Sequence, residues 1–191
     1  MIGTELSITA SAADSITVRE NPNAPGKVQV LGNGANVAIV STNASSLSAI
    51  NITGSDSNNA INLSGVTAAV FSNPLLKITV SGGNGNDTIT GSPDVANSLI
   101  GGDGADTLNG GSQADTLDGS NGDDSINGGD GNDSILGRDG ADRLNGDGDN
   151  DTILGGDGSD IVNGGDGDDS ILGGNGADAV AGGLGNDIVS G

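Results

Sequence analysis

The sequence predicts an all-β repeat protein in which short strands recur every nine residues. From position 101 to position 190 the chain divides into ten nine-residue units without a gap. Glycine fills most of positions 1, 2 and 4 of the unit, where tight turns need positive φ or a close backbone approach. Position 8 is aliphatic in every clear copy, which is typical of a strand residue that points into a core.

The unit divides into a turn and a strand. We expect its first six residues to form the turn and its last three the strand, whose middle residue points inward. One further clear copy starts at Gly82. Residues 92–100 form a degenerate copy of the unit, and Gly91 is one extra residue before it. Gln113 replaces a turn glycine, so a strained turn is expected there, and Arg138, Asp149 and Leu184 are further departures from the pattern.

Position 6 of the unit is aspartate in all eleven clear copies. These aspartates are the candidate metal ligands: Asp87, Asp106, Asp115, Asp124, Asp133, Asp142, Asp151, Asp160, Asp169, Asp178 and Asp187. Ca²⁺ takes six or more oxygen ligands, which carboxylates and the carbonyls of glycine-rich turns supply. Mg²⁺ needs tighter geometry and keeps its waters, and softer metals lack their Cys and His ligands here. The pattern therefore indicates calcium.

The alternative is a solvated acidic surface with Asx turns and no ion. Twenty-two of the 26 acidic residues lie in residues 82–191, against two basic residues. Two carboxylates ~5 Å apart repel by roughly 3 kcal/mol at an effective dielectric constant of 20. Stacked carboxylates therefore favour a bound cation, and we expect folding of this part to be coupled to calcium binding.

The nonapeptide GGxGxDxUx resembles the repeat of the RTX (repeats-in-toxin, hemolysin-type) calcium-binding family over residues 82–191. This resemblance implies a right-handed parallel β-roll, a β-solenoid with 18-residue turns, which holds calcium between successive turns on each edge. Aspartates two units apart then form eight pairs. Asp87 with Asp106 would add a ninth site and Asn97 with Asp115 a weak tenth, so about eight to ten Ca²⁺ ions are expected.

Residues 1–81 form a separate segment with only four acidic residues. Strand-like runs are predicted at Leu6–Thr9, Ser15–Val18, Lys27–Leu31, Asn36–Val40, Ala49–Thr53, Ala60–Leu63 and Leu76–Val80. GSDSNNAIN, which starts at Gly54, is a faint nonapeptide with Asn59 in the aspartate position. We favour an ion-free continuation of the solenoid, with a small β-sandwich cap as the alternative. Residues 66–76 are expected to leave the pattern, with Phe71 filling the core.

Position 9 of the unit gives each face of the roll a different column of side chains. One face carries Asn109, Asn127, Asn145 and Asn163, which are expected to form a hydrogen-bond ladder up the stack. The other carries Leu136, Leu154 and Leu172. These leucines either pack along the sheet or form an exposed apolar stripe for a protein partner or self-association.

Composition excludes several functions. The chain has 26 acidic and 5 basic residues, a net charge of −21, and no Cys or His. Disulfides, Cys/His zinc sites and catalysis by His or Cys are therefore excluded. A basic nucleic-acid footprint is absent, and no apolar run is long enough to predict a membrane span. No basic segment precedes an apolar stretch at the N-terminus, so no signal peptide of the usual kind is predicted.

Two functions remain. The first is a structural calcium-binding module of a secreted or cell-surface bacterial protein, of adhesin or surface-layer type. The alternative is an accessory repeat domain that helps a secreted hydrolase, epimerase or toxin to fold after export. The resemblance implies type I secretion and an extracellular location for either. An enzyme is not predicted, because every carboxylate pair is repeated and no singular site breaks the array. Gly191 opens a further unit, so we expect a fragment of a longer protein.

Overall fold

The computed structural model describes residues 4–10, 15–20, 23, 27–32, 35–43, 47–69, 71–74 and 76–191, and regular structure in these ranges is entirely β. The strands form two sheets. In spatial order, sheet 1 contains β1 (Thr4–Thr9), β5 (Leu47–Thr53), β7 (Lys77–Asn84), β9 (Asn97–Asp103), β11 (Thr116–Asn121), β13 (Ser134–Asp139), β15 (Thr152–Asp157), β17 (Ser170–Asn175) and β19 (Ile188–Ser190). Sheet 2 contains β18 (Ala179–Leu184), β16 (Ile161–Asp166), β14 (Arg143–Gly148), β12 (Ser125–Gly129), β10 (Thr107–Gly111), β8 (Thr88–Thr90), β6 (Ala60–Gly65), β2 (Ser15–Glu20), β3 (Lys27–Gly32) and β4 (Ala35–Asn43).

The predicted parallel β-solenoid is confirmed. From β5 onward successive strands alternate between the sheets, and each strand pairs in parallel with the strand two elements later. From β9 onward the partner of each residue in the next turn lies 18 positions along the chain, as in Ile135↔Ile153 and Leu144↔Val162. Two nonapeptides therefore complete one turn of the solenoid.

Apart from β8 and β19, which span three residues each, the roll strands are longer than the three residues expected. β15 and its neighbours run through positions 7 to 9 of one unit and positions 1 to 3 of the next. Pairing continues across the glycines, as in Gly156↔Gly174, so position 2 joins the ladder although its φ is positive. The turn itself is confined to positions 4 to 6.

The core of the roll is one row of side chains from each sheet. Position 8 supplies both rows, and its residues are at most 3% exposed from Leu99 to Ile171. Each strand contributes one such side chain. The next inward-facing position along the strand is a glycine, such as Gly137 or Gly155, and not a second apolar residue.

The N-terminal segment continues the solenoid, which is the interpretation that the sequence favoured over a β-sandwich cap. β1, β5 and β7 extend sheet 1 in parallel, and β2 and β6 extend sheet 2. β3 and β4 depart from this pattern because they add to β2 in antiparallel orientation and widen sheet 2. All seven predicted strands are present.

Residues 66–76 leave the repeat pattern, as predicted. Phe71 is 1% exposed and belongs to the core, and Asn73 Nδ2 donates to the carbonyl of Leu47 at 2.7 Å. No helix long and apolar enough to cross a membrane occurs in the described ranges.

The sequence predicts that Gly91 is the extra residue of the degenerate copy, and this prediction is wrong. Gly91 takes position 1 of that copy, because its N–H donates to Asn109 and a Cβ there would lie 2.5 Å from the carbonyl oxygen of Gly110. Position 1 leaves no room for a side chain. The chain therefore accommodates the additional residue inside the turn, between positions 92 and 97.

The prediction of strain at Gln113 is wrong. Among the described residues, the non-glycine residues with positive φ are Ser120, Arg138, Asp147 and Asp149. Three of these occupy position 2 of the unit, and Asp149 occupies position 4. The turn at Gln113 instead takes a conformation with negative φ, which is open to any residue.

Candidate metal centre

The position-6 residues stack into two ladders, one on each edge of the solenoid. Each backbone N–H in a ladder donates to the Oδ1 of the residue one turn later, and between aspartates these bonds measure 2.7 to 3.1 Å. Ladder 1 contains Asn59, Asp87, Asp106, Asp124, Asp142, Asp160 and Asp178. Ladder 2 contains Asn97, Asp115, Asp133, Asp151, Asp169 and Asp187. The structure thus brings all eleven predicted aspartates into line, including Asp87 with Asp106 at a spacing of 19.

The ladder aspartates are buried, and one oxygen of each lacks a donor. Asp87 through Asp169 are 1–3% exposed, whereas Asp178 and Asp187 at the last turn are half-buried. Nine buried Oδ2 atoms have no hydrogen-bond partner: those of Asp87, Asp106, Asp115, Asp124, Asp133, Asp142, Asp151, Asp160 and Asp169. A buried ionised oxygen without a partner is strongly unfavourable, so each of these atoms fits a cation.

The position-1 glycines form the wall beside each orphaned oxygen. A Cβ added at Gly119 would collide with Asp124 Oδ2 and lie 2.9 Å from the carbonyl oxygen of Gly137, one turn later. The same arrangement recurs along both edges. A carboxylate oxygen and a carbonyl oxygen therefore border one small space with no donor between them, and hard cations prefer such oxygen sets.

Burial raises the pKa values of the ladder carboxylates. The pKa rises to about 7 for Asp124 and Asp133, chiefly through desolvation and further through neighbouring carboxylates. Desolvation also raises the pKa to about 6 for Asp106, Asp115, Asp142 and Asp151. The N–H donated from the previous turn opposes the shift in each case. Without an ion, the ladder therefore resists carrying its full charge.

Carboxylates alone do not complete a calcium shell here. No group of three acidic side chains that could hold a metal ion occurs in the part of the chain that the structure describes. A calcium ion with six or more ligands would need the turn carbonyls in addition to two aspartates. The position-1 carbonyls that border the orphaned Oδ2 atoms suit that role.

A second polar ladder lies outside the first, and sequence reasoning missed it. At position 5, the side-chain oxygen of one turn accepts the backbone N–H of the next, as in Ala141 N to Asp123 Oδ1 at 2.9 Å and Asp168 N to Asn150 Oδ1 at 2.8 Å. These bonds run opposite to those of position 6. The recurrence of Asn and Asp at position 5 is the sequence signal that could have found it.

The asparagine column at position 9 differs from expectation. Asn163 Nδ2 donates to Asn145 Oδ1 at 2.8 Å, but Asn145 Nδ2 turns to Asp147 and the buried Asn127 Oδ1 has no partner. The asparagine ladder thus has one rung rather than a continuous run. In the other column Leu136 and Leu154 are half-buried and Leu172 is 45% exposed.

One ion pair crosses the surface of the roll. The Arg138 guanidinium donates twice to Asp118, with Nη2 2.7 Å from Oδ2 and Nε 3.1 Å from Oδ1. Arg138 reaches it from a position-2 site with φ of 83°. The pair lies outside both ladders and leaves their charge uncompensated.

A comparison with protein-family models agrees with this geometry. The model of the RTX calcium-binding nonapeptide repeat matches four times, over residues 79–95, 94–126, 118–153 and 154–189. These matches cover more than half of the chain and include every aspartate of both ladders. A search of the curated proteins finds no match for this chain.

Proposed function

We propose that this chain, which belongs to the RTX calcium-binding nonapeptide repeat family, is a structural module of a secreted or cell-surface bacterial protein. We further propose that its roll folds when calcium binds. The observation that carries the proposal is the row of nine buried Oδ2 atoms without donors. Each lies beside the same position-1 glycine as the carbonyl oxygen of the next turn, and such an oxygen-rich environment suits a cation.

The residues that would hold the ions are the paired aspartates of each ladder. Ladder 1 contains five Asp–Asp links and ladder 2 contains four. The number of links equals the number of orphaned oxygens, so we assign one ion to each link and nine to the array. A bound Ca²⁺ would supply positive charge between two carboxylates that otherwise repel each other.

Calcium-dependent folding follows from the charge of the roll. Each internal aspartate has a carboxylate one turn away on both sides and is desolvated as well. In the unfolded chain these carboxylates are hydrated and far apart. Binding free energy is then available only to the folded state, so the ion and the fold stabilise each other.

The repeated geometry supports a structural role rather than catalysis. A cavity of about 430 Å³ lies against Phe71, Pro74, Val95 and Gln113, and Asp94 is the titratable group among its described lining residues. A lone exposed carboxylate lacks a partner for acid–base chemistry. The same module would also serve as the folding accessory of an exported enzyme, with affinity suited to extracellular calcium, on the order of 10⁻⁴ to 10⁻³ M.

The test is a calcium titration followed by far-UV circular dichroism, with Mg²⁺ as the control ion. We expect a cooperative gain of β signal with Ca²⁺ alone. Asp133→Asn removes a carboxylate shared by two links and should shift the midpoint to higher calcium. Asp130→Asn changes an exposed position-3 aspartate and should leave the midpoint unchanged. Full β signal in chelator, or equal shifts in both variants, would refute the proposal.

A further inference from the structure

Both ladders begin with asparagine instead of aspartate. Asn59 heads ladder 1 and Asn97 heads ladder 2, and they are 3% and 5% exposed. Each occupies the position-6 site of the turn before the first aspartate. In sheet 1, Asn97 also lies between the apolar residues of the first turns and ladder 2, because it pairs with the buried Ile78 of the preceding turn.

The Asn97 amide makes the hydrogen bonds that the aspartate links lack. Its backbone N–H and its Nδ2 both donate to Asp115 Oδ1, at 2.6 and 3.0 Å. Nδ2 also reaches the carbonyl oxygens of Ser92 at 3.1 Å and Gly110 at 3.4 Å. The Ser92 N–H donates to Oδ1 at 2.9 Å, which fixes which end of the amide carries the nitrogen.

The space beside the position-1 glycine therefore differs at this link. A Cβ on Gly91 would lie 2.5 Å from the Gly110 carbonyl oxygen and 2.8 Å from Asn97 Nδ2. In an aspartate link the same space is bordered by a carboxylate oxygen and a carbonyl oxygen. At Asn97 the space is bordered by the Nδ2 donor and the Gly110 carbonyl oxygen, whereas in the aspartate links two acceptor oxygens border it. A cation would therefore meet an N–H₂ group at Asn97.

Asn59 shows a related arrangement on the other edge. Its backbone N–H and Nδ2 donate to Asp87 Oδ1 at 2.6 and 3.2 Å, and Nδ2 also donates to the carbonyl oxygen of Ser57. Asp87 and Asp115 thus each receive two N–H donors on Oδ1. The link carries one negative charge instead of two.

We propose that Asn59 and Asn97 are amide terminators of the calcium array. Each replaces the first ion of its ladder with hydrogen bonds, so the ion sites begin at the Asp87–Asp106 and Asp115–Asp133 links. The ion-free solenoid is thereby joined to the roll without calcium. This inference rests on the proposed calcium function and says which links that function excludes.

The test counts calcium ions per chain by atomic emission after equilibrium dialysis. The wild-type chain should hold nine ions, and Asn97→Asp and Asn59→Asp should each hold ten. Asn132→Asp is the matched control, because it adds the same charge at an exposed position-5 site on the edge of ladder 2 and should stay at nine. An equal count in wild type and Asn97→Asp would overturn the inference, as would the same gain in the control.

A second measurement uses the wild-type chain and does not depend on the variants folding. In the calcium-loaded protein, the side-chain NH₂ of Asn97 should exchange slowly with solvent by NMR and show a contact to Gly110. Rapid exchange of that NH₂ would mean that the amide has turned its oxygen to an ion, and the inference would fail. A chain that binds no calcium at all would instead refute the proposed function, while the Asn97 amide could still be observed.

Discussion

One inward-facing column of sheet 1 is apolar at its N-terminal end and acidic at its C-terminal end. Leu6, Ile50 and Ile78 occupy it in the first turns, Asn97 follows, and Asp115 continues it as ladder 2. In the first turns each strand of sheet 1 therefore presents two apolar residues to the core, as Ile50 and Ile52 do. In the roll each strand presents one.

This difference shows how one backbone supports two modes of stabilisation. An apolar column is stabilised by being removed from water, with roughly 2 kcal/mol for each buried Ile or Leu. An aspartate column in the same place gains nothing from burial and is destabilised by it, as the raised pKa values of Asp115 and Asp133 indicate. On the proposed function we therefore expect the roll to need a bound cation and the first turns to fold without one.

The largest expected effect is a split between the two regions when calcium is removed. In chelator, amides of β11 to β18 should lose nearly all protection from hydrogen exchange, because their ladders carry uncompensated charge. Amides of β5 and β7 should keep most of theirs. Hydrogen exchange with mass spectrometry measures both regions in one sample, with Mg²⁺ as the control, and equal losses would contradict the comparison.

A smaller effect is expected from acid in the absence of calcium. The ladder pKa values of about 6 to 7 lie above the ordinary value of 3.8, so the folded roll binds more protons than the unfolded chain. Its stability is then fully present below pH 3.8 and is lost as pH rises through 6 to 7. Circular dichroism in chelator should show β signal recovering between pH 8 and pH 5. A pH-independent signal would contradict this.

Filling one space beside a ladder should have a moderate effect. Gly137→Ala places a Cβ against Asp142 Oδ2 and the Gly155 carbonyl oxygen, and overpacking of this kind costs about 1–3 kcal/mol. Gly148→Ala is the control, because its Cβ would meet only Asp130 Oδ1, at 3.5 Å. Urea unfolding in saturating calcium should separate the two variants, and equal stability would argue against a packed ion site.

The smallest expected effect concerns the Arg138–Asp118 pair on the surface. Arg138→Gly loses an exposed ion pair worth about 0.2–1 kcal/mol but relieves a positive φ, so its free energy of unfolding should stay near that of wild type. Asp118→Ala loses the pair and keeps the backbone strain, so it should be the less stable variant. Urea unfolding in calcium compares them, and the reverse order would contradict this account.

The sequence was sufficient where its period sets the geometry. The repeat itself located the row of position-8 side chains and the position-6 aspartates, and the resemblance to the RTX family implied the two units per turn that align them. The antiparallel orientation of β3 and β4 could not be predicted, because side chains alternate between the two faces in parallel and antiparallel strands alike. The location of the extra residue was also missed, since only the contacts of Gly91 with Gly110 identify position 1. The role of the Asn97 amide could not be predicted from the sequence, because it depends on which side-chain atom of Asn97 faces the Gly110 carbonyl oxygen.

The turn at residues 92–96 has a consequence for how such an array changes length. Strand pairing is undisturbed on both sides of it, with Thr90↔Asn109 before the turn and Ser98↔Thr116 after it. A single inserted residue is thus absorbed locally. A whole unit gained by duplication or lost by deletion would move every later unit to the opposite edge, where its position-6 aspartate and position-8 aliphatic residue meet residues of the same kind one turn away. The two aspartate ladders and the core rows can therefore grow or shrink by single units through unequal recombination.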